Sequence, residues 1–357
     1  PEFVEVRTRP GDLWELGGHR LACGDCTRPE DVRRVLDSQT ACMVHADPPY
    51  GMGKESDGVL NDNIYRERLD EFQMEWWTAC RPSLDFNASA YIWGTAPDLW
   101  RLWYAGGLRD SEHIEIRNEI VWSKPGCHGL RMAGRTQYST ASERCLFMQI
   151  GEQFIGNLNA DEYWDGWDEI RVYLRDEARA AGLTDSGCKE ITGVGMFSHW
   201  FSRSQWCFIP ADHYATLQAA FPGYFVQPHD NLRATYARLR VGFESHIGGI
   251  LGGMRSYFDN THDIMPDIWE FRRVVGDERY GHPTPKPVDM MARAIKTSAP
   301  EGGRVLVPFA GTFPEIIAAE RTGRRAFGLE IDASYCDIAI QRWEAYTGRE
   351  AVRIEDA

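Results

Sequence analysis

TACMVHADPPY, residues 40–50, joins an apolar run of strand length to a stop made of two prolines. A short apolar run bounded by turn residues reads as a buried strand. In an open α/β sheet, ligands sit beyond the carboxyl ends of the strands, which places Asp47, Pro48, Pro49 and Tyr50 in a cleft. The residue types suit one kind of chemistry. An aromatic amine is a weak nucleophile because its lone pair is delocalised into the ring. The carboxylate of Asp47 and the carbonyl of Pro48 can each accept a hydrogen bond from such an NH2 group. That favours a more tetrahedral nitrogen whose lone pair faces an electrophile. The two prolines hold the backbone extended. Tyr50 offers a face on which a base drawn out of a duplex can stack, at about 1–3 kcal/mol. The plainer alternative is a strand-ending turn, since Pro-Pro is common in loops.

Working outward, residues 1–150 read as α/β. His19–Cys23 is a short strand running into Gly24-Asp25, Pro29–Leu36 has helical spacing, and Leu69–Cys80 is an amphipathic helix. Ser89–Trp93, Glu115–Trp122 and Cys145–Gln149 are further strands. Residues 151–260 break that rhythm. Helical spacing covers Asp165–Ala181, a segment capped by Thr184 or Asp185 and ending near Gly193, then Met196–Arg203 and Ala211–Phe221. A helix, a glycine turn and a second short helix resemble a helix-turn-helix. Glycines at 242, 248, 249, 252 and 253 predict a flexible loop. Residues 261–357 return to α/β, with a helix over Pro287–Ser298 that starts on Pro287, a strand over Arg304–Val307, a helix over Pro314–Thr322 closed by Gly323, a strand over Arg325–Glu330 and a last helix over Ala333–Tyr346. Strands alternating with helices predict a doubly wound, mostly parallel sheet.

The 357 residues fit a large domain plus a smaller one, and 43% hydrophobic residues with 13 Trp supply a substantial core. There is no apolar run of the roughly 20 residues that span a bilayer, and the first residues carry no basic segment leading into an apolar one. The 9 Cys, an odd number scattered along the chain, fit a reducing cytoplasm rather than a disulfide framework, and Cys23 and Cys26 read as structural, with no metal. A net charge of −14 excludes indiscriminate nucleic-acid binding, so any such contact requires a local basic face.

Three further motifs carry chemistry. Val305–Thr312 (VLVPFAGT) followed by a helix is a strand, small-residue turn and helix N-terminus, and Glu330 ends the next strand where an acid suits ribose hydroxyls. Taken alone, an ordinary βαβ unit has the same form. Gly24-Asp25 ends the first strand, and Asp25 could accept from an adenine amino group or make a turn. His282–Pro287 (HPTPKP) is a stiff segment presenting His282 and Lys286 before a helix.

In this chain order the four motifs resemble the beta-class S-adenosylmethionine-dependent DNA amino-methyltransferases. GDLWELGGHRLACGD (11–25), IVWSK (120–124) with Glu143, DIWEF (267–271) and GLEIDASY (328–335) are similar to that family too, so the resemblance covers roughly residues 8–150 and 262–346. It implies a Rossmann-like sheet in the permuted methyltransferase order with a helical target-recognition insert, no metal and a homodimer. It further implies a cytoplasmic, nucleoid-associated enzyme of bacterial or phage origin that methylates adenine N6 in double-stranded DNA. The alternatives are cytosine N4 methylation and a catalytically silent DNA-binding subunit. By match, Asp47, Pro48, Pro49 and Tyr50 are catalytic, while Asp25, His282, Lys286, Phe309, Gly311, Thr312, Glu330 and Asp332 surround the donor. The implied domains are a catalytic half (1–150), a recognition region (151–260) and a donor-binding half (261–357). The sequence departs from the usual donor loop, D-P-F-x-G-S-G-T, with Val307 for the Asp, Phe313 for the second Gly, and Pro314 and Glu315 for small residues. Phe313 can stand in for glycine if its side chain points away from the ligand.

For DNA, Arg131 and Arg135 lie in a segment bracketed by Arg117, Lys124 and Arg144, and Arg233, Arg238, Arg240 and Arg255 form a second basic cluster. Ser198, His199, Ser202, Arg203 and Gln205 are the side chains expected to reach base edges, with Trp200, Phe201 and Trp206 as core.

Overall fold

The computed structural model describes residues 7–49, 66–104, 107–110, 113–124, 141–151, 163–251, 256–263, 265–274 and 286–354. Tyr50, Arg131, Arg135, His282, Gly252, Gly253 and Arg255 lie outside these. The chain forms two compact units, one of Pro1–Gln153 with Ser256–Ala357, the other of Phe154–Arg255.

The elements run β1 (Leu13–Leu16), β2 (His19–Cys23), α1 (Pro29–Val35), β3 (Ala41–Ala46), α2 (Arg66–Cys80), β4 (Leu84–Gly94), α3 (Ala96–Tyr104), β5 (Ile114–Ser123) and β6 (Ser142–Ile150). The second unit carries α4 (Asp168–Ala180), α5 (Asp185–Thr192), α6 (Phe197–Phe201), α7 (Ala211–Ala220) and α8 (His229–Leu251). The first resumes with β7 (Ile268–Glu270), α9 (Val288–Ser298), β8 (Arg304–Val307), α10 (Pro314–Thr322), β9 (Arg325–Glu330), α11 (Ala333–Thr347) and β10 (Val352–Ile354).

The strands form one sheet in the order β10-β1-β2-β9-β8-β3-β4-β6-β5-β7. Strands β2, β9, β8, β3 and β4 are mutually parallel. The late strands β8 and β9 therefore fill the gap between the early β2 and β3, which is the permuted order. The flanks are antiparallel, β10-β1-β2 at one side and β4-β6-β5 at the other. Side chains alternate across the sheet as strand geometry requires. Met43, Tyr91, Trp93, Val305 and Val307 face one core layer with α9, α10 and α11. Val44, Ala90, Ile92 and Leu306 face the other with α1, α2 and α3. Two helical layers on a mostly parallel sheet make the Rossmann-like, doubly wound fold that the strand–helix alternation predicts.

The second unit is built on an aromatic core in which Trp167, Trp200, Phe201, Trp206, Tyr214 and Phe225 are buried. Thr184 caps α5 by accepting from Gly187 N, and Gly193 ends it in the left-handed region. The flexible loop expected at Gly242, Gly248 and Gly249 is instead part of α8. Each glycine weakens a helix by about 1 kcal/mol relative to Ala. Leu232, Tyr236, Leu239 and Phe243, spaced to share a helical face, pack into the aromatic core and offset that cost. The helix expected over Met196–Arg203 is shorter at both ends, because Met196 is a non-helical N-cap and Ser202 is extended. Pro287 caps α9 rather than opening it.

Candidate active site

Four neighbouring parallel strands, β2, β9, β8 and β3, deliver the motif residues to one edge of the sheet. Cys23 pairs with Glu330, so Gly24-Asp25 leaves β2 beside the end of β9. Val44 pairs with Leu306, so Asp47 leaves β3 level with Phe309 and the Gly311 turn. Segments remote in the chain thus share the carboxyl edge where ligands of such sheets bind.

Asp47 is held by Lys286, whose Nζ lies 2.5 Å from Oδ2. The same ammonium lies 3.2 Å from Glu143 Oε2, and Glu143 Oε1 accepts from Lys124 Nζ. Lys286 is 4% exposed and also lies 5.5 Å from the centroid of the Trp93 ring. Burial alone would lower the Lys286 ammonium, but Asp47 and Glu143 more than offset it, and the net shift is upward. Alternating charges, Asp47, Lys286, Glu143 and Lys124, thereby neutralise one another in a partly dry site. The sequence predicts Lys286 beside the donor; its described contacts are with Asp47, Glu143 and the Trp93 ring. Pro48 is buried, and the Pro49 carbonyl accepts from Gln73 Nε2 at 3.4 Å. Gln73 in turn accepts from Trp76 Nε1 at 2.6 Å, so α2 braces the proline backbone.

At the Gly311 turn, Glu330 Oε2 accepts from Gly311 N at 2.7 Å and Oε1 from Asp332 N at 2.9 Å. Burial pushes the Glu330 carboxyl up to about 7. Asp332 caps α11 through Ser334 N, and Thr312 is buried with its carbonyl 3.1 Å from Arg342. Phe309 packs edge-on against Trp76, 5.5 Å between centroids. Asp25 Oδ1 accepts from both Thr27 N and Thr27 Oγ1, a local turn. Phe313 adopts φ +52°, the left-handed conformation a glycine would supply, and its side chain is fully buried. Its ring lies over Gly328, where a Cβ would stand 2.7 Å from Phe313 Cζ. The side chain therefore occupies the core.

Of the insert residues, Ser198, Arg203 and Gln205 are exposed. Arg203 lies beyond the end of α6 and pairs with Asp168 at 2.8 Å and Asp165 at 3.0 Å. Ser202 Oγ donates to Ser198 O, and His199 Nδ1 lies 3.1 Å from Gln205 O. Trp200, Phe201 and Trp206 are buried core, as their type predicts. Several of the other basic residues are paired within the chain, Arg117 with Glu115, Arg144 with Glu119 and Arg238 with Glu169.

Sequence reasoning missed Gln73 and the buried pair of His45 and Glu315, whose Nδ1 and Oε1 lie 2.9 Å apart. A polar residue in an otherwise apolar segment, as at His45 and Glu315, is the signal that would have found that pair, whereas Gln73 stands among charged residues and carries no such signal.

Residues 41–341 match the family model of the DNA methylases that act on amino nitrogens N6 and N4, and the chain belongs to that family. It is 33% identical over 101 residues to the DNA adenine methyltransferase YhdJ of Escherichia coli, covering 27% of this chain and 34% of that one. It is 36% identical over 85 residues to the type II methyltransferase M.ScaI of Streptomyces caespitosus, covering 22% and 28%. These matches span about a third of the relatives' length. A solved structure of M1.HpyAVI with SAM aligns over 90% of this chain and 98% of its own, at 13% identity and a TM-score of 0.45. No helix among the described residues is long and apolar enough to cross a membrane.

Proposed function

We propose that this chain transfers a methyl group from S-adenosylmethionine to N6 of adenine in double-stranded DNA. The observation that carries the reading is Asp47, clamped by Lys286, on the same sheet edge as the Gly311–Glu330 turn. S-adenosylmethionine supplies an electrophilic methyl on a sulfonium. Glu330 suits its ribose: a carboxylate has about four acceptor positions, so hydroxyls can still bind beside the two backbone amides. The buried ring of Phe313 leaves the turn itself to approach the donor.

Asp47 and the Pro48 carbonyl then accept the two N–H bonds of an extruded adenine and turn its lone pair toward the methyl. Lys286 orients the Asp47 carboxylate, and Gln73 keeps the proline backbone in place. Tyr50 stacks on the extruded base. Transfer is direct and in line, and the cationic methylated amine sheds its proton to water. Positioning supplies most of the rate.

Asp at the first motif position and the adenine-specific relative YhdJ favour adenine. The insert would read the DNA through Ser198, His199, Ser202, Arg203 and Gln205, with Arg131 and Arg135 on phosphates. A homodimer suits a short palindromic site, and the cytoplasm suits the substrate. Nucleoside analysis of unmethylated duplex DNA treated with the chain and S-adenosylmethionine tests this. N6-methyladenine is expected. N4-methylcytosine would move the target base, and no methylated nucleoside would remove the enzyme reading.

A further inference from the structure

Trp93, His45 and Glu315 form a polar chain through the apolar layer beneath the site. Trp93 Nε1 donates to His45 Nε2 at 2.8 Å, and His45 Nδ1 lies 2.9 Å from Glu315 Oε1. All are buried, with the His45 and Glu315 side chains 1% and 4% exposed. An indole can donate and cannot accept, so His45 Nε2 presents a lone pair. The indole bond leaves Nδ1 as the ring nitrogen nearest Glu315. Neither His45 Nδ1 nor Glu315 Oε2 has a hydrogen-bond partner among the described residues, so His45 and Glu315 meet as a close polar contact without hydrogen-bond alignment. A buried carboxylate is costly, and such a group persists where something else depends on it.

The ends of this chain are what make it consequential. His45 stands two residues before Asp47, on the face of β3 that Met43 shares. Glu315 is in the first turn of α10, two residues after the left-handed Phe313. Trp93 carries the Lys286 ammonium on its ring, and that ammonium holds Asp47. An L-residue in the left-handed region is strained and needs its surroundings to hold it. Here the Phe313 ring is anchored over Gly328 on one side, and α10 is tied to β3 through Glu315 and His45 on the other. A tether of this kind does what a second glycine in the loop would otherwise leave to backbone freedom.

We propose that His45 and Glu315 are positioning residues that set the spacing between the Gly311 donor loop and Asp47, a role that rests on the methyl-transfer reading above. The test uses the full chain, S-adenosylmethionine and unmethylated genomic duplex DNA. It compares His45→Leu, Glu315→Leu, the double variant and Glu315→Gln. Each kcat is corrected for the fraction of chain that binds donor in calorimetry, and melting temperatures are taken alongside. Each single leucine variant is expected to lose at least about tenfold in kcat, since misplacement near a reacting centre is costly in rate. Glu315→Gln, which keeps the side chain's length and a polar oxygen against His45, stays within about threefold. The double variant recovers melting temperature, because replacing both polar partners with apolar groups removes the cost of burying unpartnered polar atoms, yet its kcat stays low. Recovery of kcat together with stability would make the pair merely structural and overturn the proposal. So would single variants with unchanged kcat. If a single variant does not fold, Glu315→Gln and the double variant decide. A wild-type chain that methylates no DNA removes the reading and the proposal together, whereas an active wild type with insensitive variants removes the proposal alone.

Discussion

Lys286 Nζ lies 2.5 Å from Asp47 Oδ2, although 239 positions separate the two residues in the chain. The contact couples the segment before α9 to the end of β3. Removing one partner of a buried pair typically costs about 3–5 kcal/mol, because the remaining charge stays buried and unpaired. Lys286→Met is therefore expected to lower the denaturant midpoint and to cut kcat, with Asp47 and Glu143 left facing each other. Lys286→Arg is expected to rescue little, since a planar guanidinium does not replace a compact ammonium between two acids. An unchanged unfolding midpoint in Lys286→Met would contradict the clamp.

With Glu330 on the donor's ribose, as proposed above, donor affinity is expected to depend on pH. Its carboxyl is raised by burial from 4.5 to about 7. An acid raised on folding costs stability as pH climbs through that interval, because the folded state holds the proton more tightly. Ribose hydroxyls would favour the ionised form, so donor binding should release a proton. The Kd for S-adenosylmethionine is expected to tighten from about pH 5.5 to about 7.5 and then level off. Glu330→Gln should bind weakly with no such trend. Calorimetry in buffers of different ionisation enthalpy measures the proton directly, and a pH-independent Kd in the wild type would refute the assignment.

Phe313 and Gly328 should behave as one packing unit. A Cβ at position 328 would lie 2.7 Å from Phe313 Cζ, and overpacking of that sort costs about 1–3 kcal/mol. Gly328→Ala should therefore destabilise the chain and weaken donor binding as the loop shifts. Phe313→Ala should cost about 3–5 kcal/mol through the cavity it leaves. Chemical denaturation checks both. Wild-type stability in Gly328→Ala would mean the ring relocates freely.

The insert offers a separate test. Burial alone would raise the Asp168 carboxyl, but hydrogen bonds from Tyr163, Arg171 and Arg203 hold it down at about 2. Arg203 is exposed while paired to Asp165 and Asp168, so it can exchange those partners for phosphates or base edges. Arg203→Ala is expected to leave the melting temperature unchanged, weaken DNA binding, and reduce the salt dependence by about one phosphate contact. Unaltered affinity and salt slope would exclude Arg203 from the DNA face.

Much of the first unit was legible because its strands are short apolar runs with sharp punctuation. Arg304–Val307, Pro314–Thr322 and Arg325–Glu330 fall where the sequence places them, the first two bounded by Gly or Pro and the third opening two residues after Gly323. The outer strands Leu13–Leu16 and Val352–Ile354, the second at the sheet's edge and the first beside it, are not separable from loops by sequence. They are short, and their pairing to each other joins opposite ends of the chain. The helix through Gly242, Gly248 and Gly249 was misread because glycine content speaks for a loop locally, whereas Tyr236, Leu239 and Phe243 bury one face against partners that sequence spacing does not reveal.

Local chemistry written in the sequence settled the strand-and-turn units, the identity of the acids at their ends and the family they resemble. It could do so because backbone propensity, turn residues and side-chain alternation act over a few residues. Which groups meet was settled by the tertiary structure. Lys286 on Asp47, His45 on Glu315 and the Phe313 ring over Gly328 each join segments distant in the chain. Burial then decides their energetics, since a charge or a strained turn acquires its cost, and its usefulness, from the low-dielectric, close-packed surroundings that exist after the sheet has assembled.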